Sequence, residues 1–159
     1  MSSFSSPSTR RAFVGGTMAA GATLALAACG DGSSAAPNNT PSAPPVPVGE
    51  GVVVATIAEL SVGTRLAVSA IATQGDTAGK ESGYLLFRPS EKSVLAYTAI
   101  CTHQGCAVGT KAPSGEGFYC ACHGSAFDAT DGKATAGPAR GALERFAAEI
   151  QGQNVLIFI

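Results

Sequence analysis

Two short stretches hold nearly every residue of this chain suited to gripping a transition metal. Cys101-Thr102-His103-Gln104-Gly105-Cys106 and Cys120-Ala121-Cys122-His123-Gly124-Ser125 contain four of the five cysteines and both histidines of a 159-residue chain. Thiolate sulfur and imidazole nitrogen suit zinc or iron–sulfur clusters. A structural zinc site usually draws its pairs as Cys-x-x-Cys and His-x-x-x-His, whereas each pair here mixes one cysteine with one histidine. Mixed pairs suit a two-iron cluster with unlike irons: Cys101 and Cys120 on one, His103 and His123 on the other, each loop giving one ligand of each kind. That leaves Cys106 and Cys122 over. A bridge between them would tie the two loops together, and such bridges persist outside the cytosol.

Ligands so placed need loops, and loops need strands to hold them. Val52 to Val54, Arg65 to Ala70, Tyr84 to Phe87 and Val94 to Ala99 read as strands, the last two flanking the polar turn Pro89-Ser90-Glu91-Lys92 as a hairpin. Ala142 to Ile150 and Val155 to Ile159 flank Gln151 to Asn154 as a second hairpin, with Phe146, Ala148 and Ile150 alternating toward one buried face. Ala58 to Leu60 is at most a helical turn. The predicted fold is all-β: a small antiparallel barrel or sandwich. Both Cys/His stretches fall where loops are expected, and Gly105 and Gly124 permit tight turns there.

The folded domain is read as residues 51–159, because what precedes it cannot make a core. Residues 1–28 carry Arg10-Arg11 before a short Gly/Ala-rich apolar run, the layout of an export signal of twin-arginine type. Leu26-Ala27-Ala28-Cys29 looks like a lipobox, which makes Cys29 the expected lipidation site. Residues 29–50, rich in Pro, Ser and Asn, read as an extended tether with room for the domain to swing. The net charge is −1, with 13% charged residues. Such a balance gives no reason to expect a nucleic-acid partner.

The double motif resembles the Rieske iron–sulfur family, in the disulfide-containing branch typified by the iron–sulfur subunit of cytochrome bc complexes. The likeness runs from about residue 52 to the C-terminus and includes Gly137-Pro138-Ala139, similar to the loop that closes over the cluster. It implies one [2Fe–2S] cluster held by Cys101, His103, Cys120 and His123, a disulfide between Cys106 and Cys122, and a hydrogen bond from Ser125 to a cluster sulfur. It also implies one-electron transfer, expected on the periplasmic side of a bacterial membrane with a lipid anchor. The electron donor and acceptor would be periplasmic or membrane redox partners, with quinol and cytochrome c among the candidates. The alternatives are a subunit of a quinol-oxidising bc-type complex, a subunit of an arsenite-oxidase-like molybdenum oxidoreductase, or a non-catalytic redox-sensing module. Rieske ferredoxins of dioxygenases lack counterparts of Cys106 and Cys122 and are set aside. Three positions depart from the bc pattern: Gln104 for leucine at the tip, Phe127 for tyrosine, and Arg140 for the second proline of the closing loop.

Overall fold

The computed structural model describes residues 39–159, so the signal, Arg10, Arg11 and Cys29 lie outside it. Among the described residues nine strands follow one another: β1 Val52–Thr56, β2 Arg65–Ile71, β3 Glu81–Ser90, β4 Ser93–Thr98, β5 Phe118–Cys120, β6 Ser125–Phe127, β7 Ala134–Ala136, β8 Arg145–Gln151 and β9 Asn154–Phe158. Six of them form one sheet in the order β1-β9-β8-β4-β3-β2, and β5-β6-β7 form a second. Every strand pair is antiparallel, and β1 comes back against β2 so that the large sheet nearly closes. The only helical segment among the described residues is a single 3₁₀ turn, Gly75–Thr77. The all-β expectation holds.

The central hairpin explains how one small chain supports two cores. Successive side chains of a strand point to opposite faces, and β3 and β4 are apolar on both. Tyr84, Leu86, Val94 and Ala96 enter the core of the large sheet with Leu60, Val155 and Ile157. Leu85 and Tyr97 enter a second core with Cys101, Phe118, Cys120, Phe127 and Leu143, and Phe87, Leu95 and Ala99 pack against it. The hairpin is therefore a shared wall. Everything between β4 and β8 forms the second half, and it contains both Cys/His stretches.

Two features differ from the sequence expectation, and a third, at Arg88, has no signal in the sequence. Strands β5, β6 and β7 add to the expected set, since three residues are too few to show an alternating pattern. Cys120 accordingly closes a strand and Ser125 opens the next, so the second motif is a hairpin connection. The strand expected from Ala142 begins at Arg145: Leu143 is instead fully buried in the second core, and its N–H is given to Gly132 O. Finally, Arg88 is buried without a carboxylate partner. Its guanidinium donates to the carbonyls of Ile57, Leu60 and Glu91 at 3.1–3.2 Å, which ties down the turn at Ala58–Leu60.

Candidate functional site

Both ligand loops are built the same way. After β4, an isolated bridge pairs Ile100 with Ala107, and the Cys101 N–H bonds to Cys106 O at 2.8 Å. Within the first loop the Gly105 N–H donates to Cys101 O at 2.8 Å; within the second the Gly124 N–H donates to Cys120 O at 3.1 Å. In each case a glycine four residues past the cysteine closes the turn, and both have φ +76°, where a side chain is strained. The expectation for these two glycines holds.

The loops bring the reactive side chains together in three sets: the two imidazoles, the two free thiols, and Cys120 with the Cys106–Cys122 bridge. The His103 and His123 rings stand edge to face with centroids 4.8 Å apart, His103 half-buried and His123 exposed. Cys101 and Cys120 are free thiols buried in the second core. Burial pushes the Cys120 thiol up, and hydrogen bonds from the backbone N–H groups of Cys122 and His123 act in the opposite direction, while the Cys101 side chain lies against it. Cys106 and Cys122 are bonded as a disulfide, Cα–Cα 6.5 Å, and the Cys120 sulfur lies within 4.8 Å of both its sulfurs. One further atom shows that the pocket suits a metal group. His103 Nδ1 is buried with no hydrogen-bond partner, a costly arrangement for a ring nitrogen unless something else binds it.

A third segment locks onto both loops. Gly137, φ +81°, lies so close to the Gly124–Ser125 peptide that a Cβ there would sit 2.5 Å from Ser125 Cα. Two residues on, the Ala139 N–H donates to Ser125 Oγ at 3.1 Å. Ser125 is fully buried, and its oxygen is used as an acceptor, so its hydroxyl proton is still available to give. On the other side Thr102 Oγ1 donates to Gly141 O at 2.7 Å. Sequence reasoning misses Thr102 and Gly141, because a side chain bonding to a backbone carbonyl 39 positions away leaves no local signal.

Residue 127 lies in the same layer. Strand β6 turns Ser125 and Phe127 inward, β5 turns Phe118 and Cys120 inward, and the pairs are Cys120↔Ser125 and Phe118↔Phe127. Phe127 is thus the diagonal cross-strand neighbour of Cys120, within reach of a long side chain. Tyr97 does not fill the gap: it stacks edge-on against Phe118, its buried hydroxyl has no partner, and burial pushes it up to about 12. Phe127→Tyr should therefore add a donor toward the Cys120 sulfur. Taking about 1 kcal/mol as the difference between redox states, the reduction potential should rise by roughly 40 mV for one electron. An unchanged or lower potential in redox titration, with the metal content intact, would show that residue 127 does not face that sulfur.

The disulfide carries its own expectation. Cys106→Ser should leave a folded domain that is less stable by about 2–4 kcal/mol in thermal unfolding. It should also surrender iron to a chelator faster, because the loops can then part. A variant as robust as the parent would mean that the bridge constrains nothing.

Comparison with known proteins places this arrangement. The Rieske [2Fe-2S] domain family matches residues 50–147. Over 59 residues the chain is 44% identical to the cytochrome b6-f complex iron-sulfur subunit of Synechococcus sp. (strain RCC307), covering 37% of this chain and 32% of that protein. It thus spans about a third of the length of that relative. The crystal structure of the plasma membrane Rieske protein from Synechocystis PCC 6803 superimposes with a TM-score of 0.53 at 30% identity, covering 68% of this chain and 99% of that one. The ferredoxin of carbazole 1,9a-dioxygenase from Nocardioides aromaticivorans IC177, at 23% identity and a TM-score of 0.51, shares the fold, with 69% and 98% covered.

Proposed function

Since this chain belongs to the Rieske [2Fe–2S] family, it holds one [2Fe–2S] cluster, and we propose that it is a one-electron carrier with Cys101, Cys120, His103 and His123 as the ligands. The observation behind that ligand set is the meeting of the two loops: two buried free thiols beside each other, and two imidazoles in contact. When bound, the cluster supplies reversible one-electron chemistry, and the protein supplies position and electrostatics. Amides of Cys122 and His123 point at the Cys120 sulfur and favour negative charge there. Ser125, the cross-strand partner of Cys120, has a hydroxyl proton to add. The disulfide and the Gly137–Gly141 segment hold the loops closed against water. His123, exposed, gives a partner its nearest approach to the site.

The proposed setting is the periplasmic side of a bacterial membrane, with Cys29 lipidated after twin-arginine export. Arg10-Arg11 and Leu26 to Cys29 support it, and a disulfide beside the site suits an oxidising compartment. Purified protein should contain two irons and two acid-labile sulfides, and should show the low average g-value of mixed His/Cys ligation. Stoichiometric zinc would end this reading. Cys29→Ser should shift the protein out of the membrane fraction, and an equally membrane-bound variant would remove the lipid anchor from it.

A second reading, membership of a quinol-oxidising complex, is favoured by relatives named as cytochrome b6-f subunits. Against it, Gln104 and Arg140 are both exposed, one at the tip of the first loop and one in the closing segment. They put polar and charged groups where an apolar surface would dock. Cluster reduction by quinol in washed membranes, compared with reduction by soluble periplasmic donors, separates the two.

A further inference from the structure

We propose that Asn39 is a positioning residue for the site, a latch that joins the chain ahead of the domain to the segment closing over the ligand loops. Its carboxamide pairs with both backbone groups of one residue: Nδ2 donates to Ala134 O at 3.0 Å, and Oδ1 accepts the Ala134 N–H at 2.8 Å. A neighbouring strand residue would make the same two bonds.

The strand it grips needs that help. β7 is an edge strand of the small sheet, only three residues long. It pairs with β6 at just two positions, Ala126↔Ala136 and Phe127↔Ala134, with a register shift between them. The outward N–H and C=O of Ala134 would otherwise face water, leaving an open edge. Asn39 seals it.

What β7 carries gives the bond its consequence. Ala136 runs directly into Gly137, which presses on the Gly124–Ser125 peptide, and the Ala139 N–H bonds to Ser125 Oγ. The register of β7 therefore sets the height of the closing segment and the orientation of the Ser125 hydroxyl. From Asn39 the chain continues without strand or helix as far as β1. Thr40 and Ser42 form one wall of a cleft of about 400 Å³ whose other wall includes Ile100, Cys101 and Glu144. Further on, Gln74 Nε2 donates to Val48 O at 2.6 Å. Within the stretch read as a tether, residues 39–48 are thus pinned to the body at both ends. A pull on the chain ahead of residue 39 reaches Ser125 through one side chain and one strand.

The role at the cluster rests on the electron-carrier reading, but the latch itself is testable without iron. In the full chain, Asn39→Ala should speed amide hydrogen exchange at Ala134 by about fivefold or more, the factor for losing one net hydrogen bond. Exchange at Ala139 should quicken with it, and the reduction potential of the iron-loaded protein should fall. Asn39→Asp keeps the acceptor for the Ala134 N–H and loses the donor, so its effects should lie between. Gln74→Ala, which frees the other end of the segment, should leave Ala134 and Ala139 protected. Unchanged exchange at Ala134 in Asn39→Ala would overturn the latch. Fast exchange at Ala134 with Ala139 and the potential unmoved would overturn its positioning role. Protein that never takes up iron would overturn the electron-carrier reading, while exchange at Ala134 would still decide the latch and exchange at Ala139 the positioning role.

Discussion

His123→Ala should give a folded protein without iron. His123 is exposed and belongs to neither core, so its removal takes away no packing. Surface substitutions of that kind usually move stability by no more than about 0.5 kcal/mol. The second loop would keep its shape, because the Cys106–Cys122 bridge and the Gly124–Cys120 hydrogen bond do not involve the imidazole. A [2Fe–2S] cluster missing one of four protein ligands has an open iron in a solvent-facing position, so the expected iron content drops from two per chain to none. Metal analysis and the visible spectrum measure the loss, and circular dichroism against the iron-free parent measures the fold. Full iron content with an unchanged spin-resonance signal would remove His123 from the ligand set.

The next largest effect is expected at Gly137. Its left-handed φ of +81° costs a residue with a side chain about 1–2 kcal/mol. A Cβ there would also lie 2.5 Å from Ser125 Cα, 2.6 Å from Gly124 O and 2.7 Å from Ser125 N, all of them backbone atoms that cannot rotate away. Gly79 provides the control, since it has φ +79° and nothing within 4 Å of where a methyl group would stand. Gly79→Ala should cost about 1 kcal/mol. Gly137→Ala should cost about 3 kcal/mol or more and should break the Ala139–Ser125 bond, with faster loss of iron to a chelator. Equal costs in denaturant unfolding would show that the closing segment can lift off without penalty.

The proposed ligands stand out in the sequence because chemistry concentrates them: no ordinary surface needs four cysteines and two histidines in twelve residues. The hairpins β3–β4 and β8–β9 are legible because apolar runs flank polar turns at Glu91–Lys92 and Gly152–Gln153. What escapes is everything held by one or two distant bonds. Strands β5 to β7 are fixed by the second core and the disulfide, which gather three short segments: Ala134–Ala136 has little preference for extension, and Phe118–Cys120, though aromatic enough for a strand, is too short to show a period. Asn39 looks like any polar residue of a Pro/Ser-rich stretch, and nothing beside it in sequence announces Ala134. Ser125 is placed through the family likeness, and the structure adds the Ala139 N–H that leaves its proton to give.

The wall formed by β3 and β4 has a consequence for inherited variation. Along both strands the even-numbered residues (Tyr84, Leu86, Val94, Ala96) face the large sheet, and the odd-numbered ones (Leu85, Phe87, Leu95, Tyr97) face the cluster half. Two neighbouring codons therefore report on different properties. A lesion at an even position should lower the amount of protein that accumulates without changing its iron per chain, whereas one at an odd position should also leave the protein that remains poor in iron. In a collection of random mutants, the parity of the altered residue would sort abundance defects from electron-transfer defects before any protein was purified.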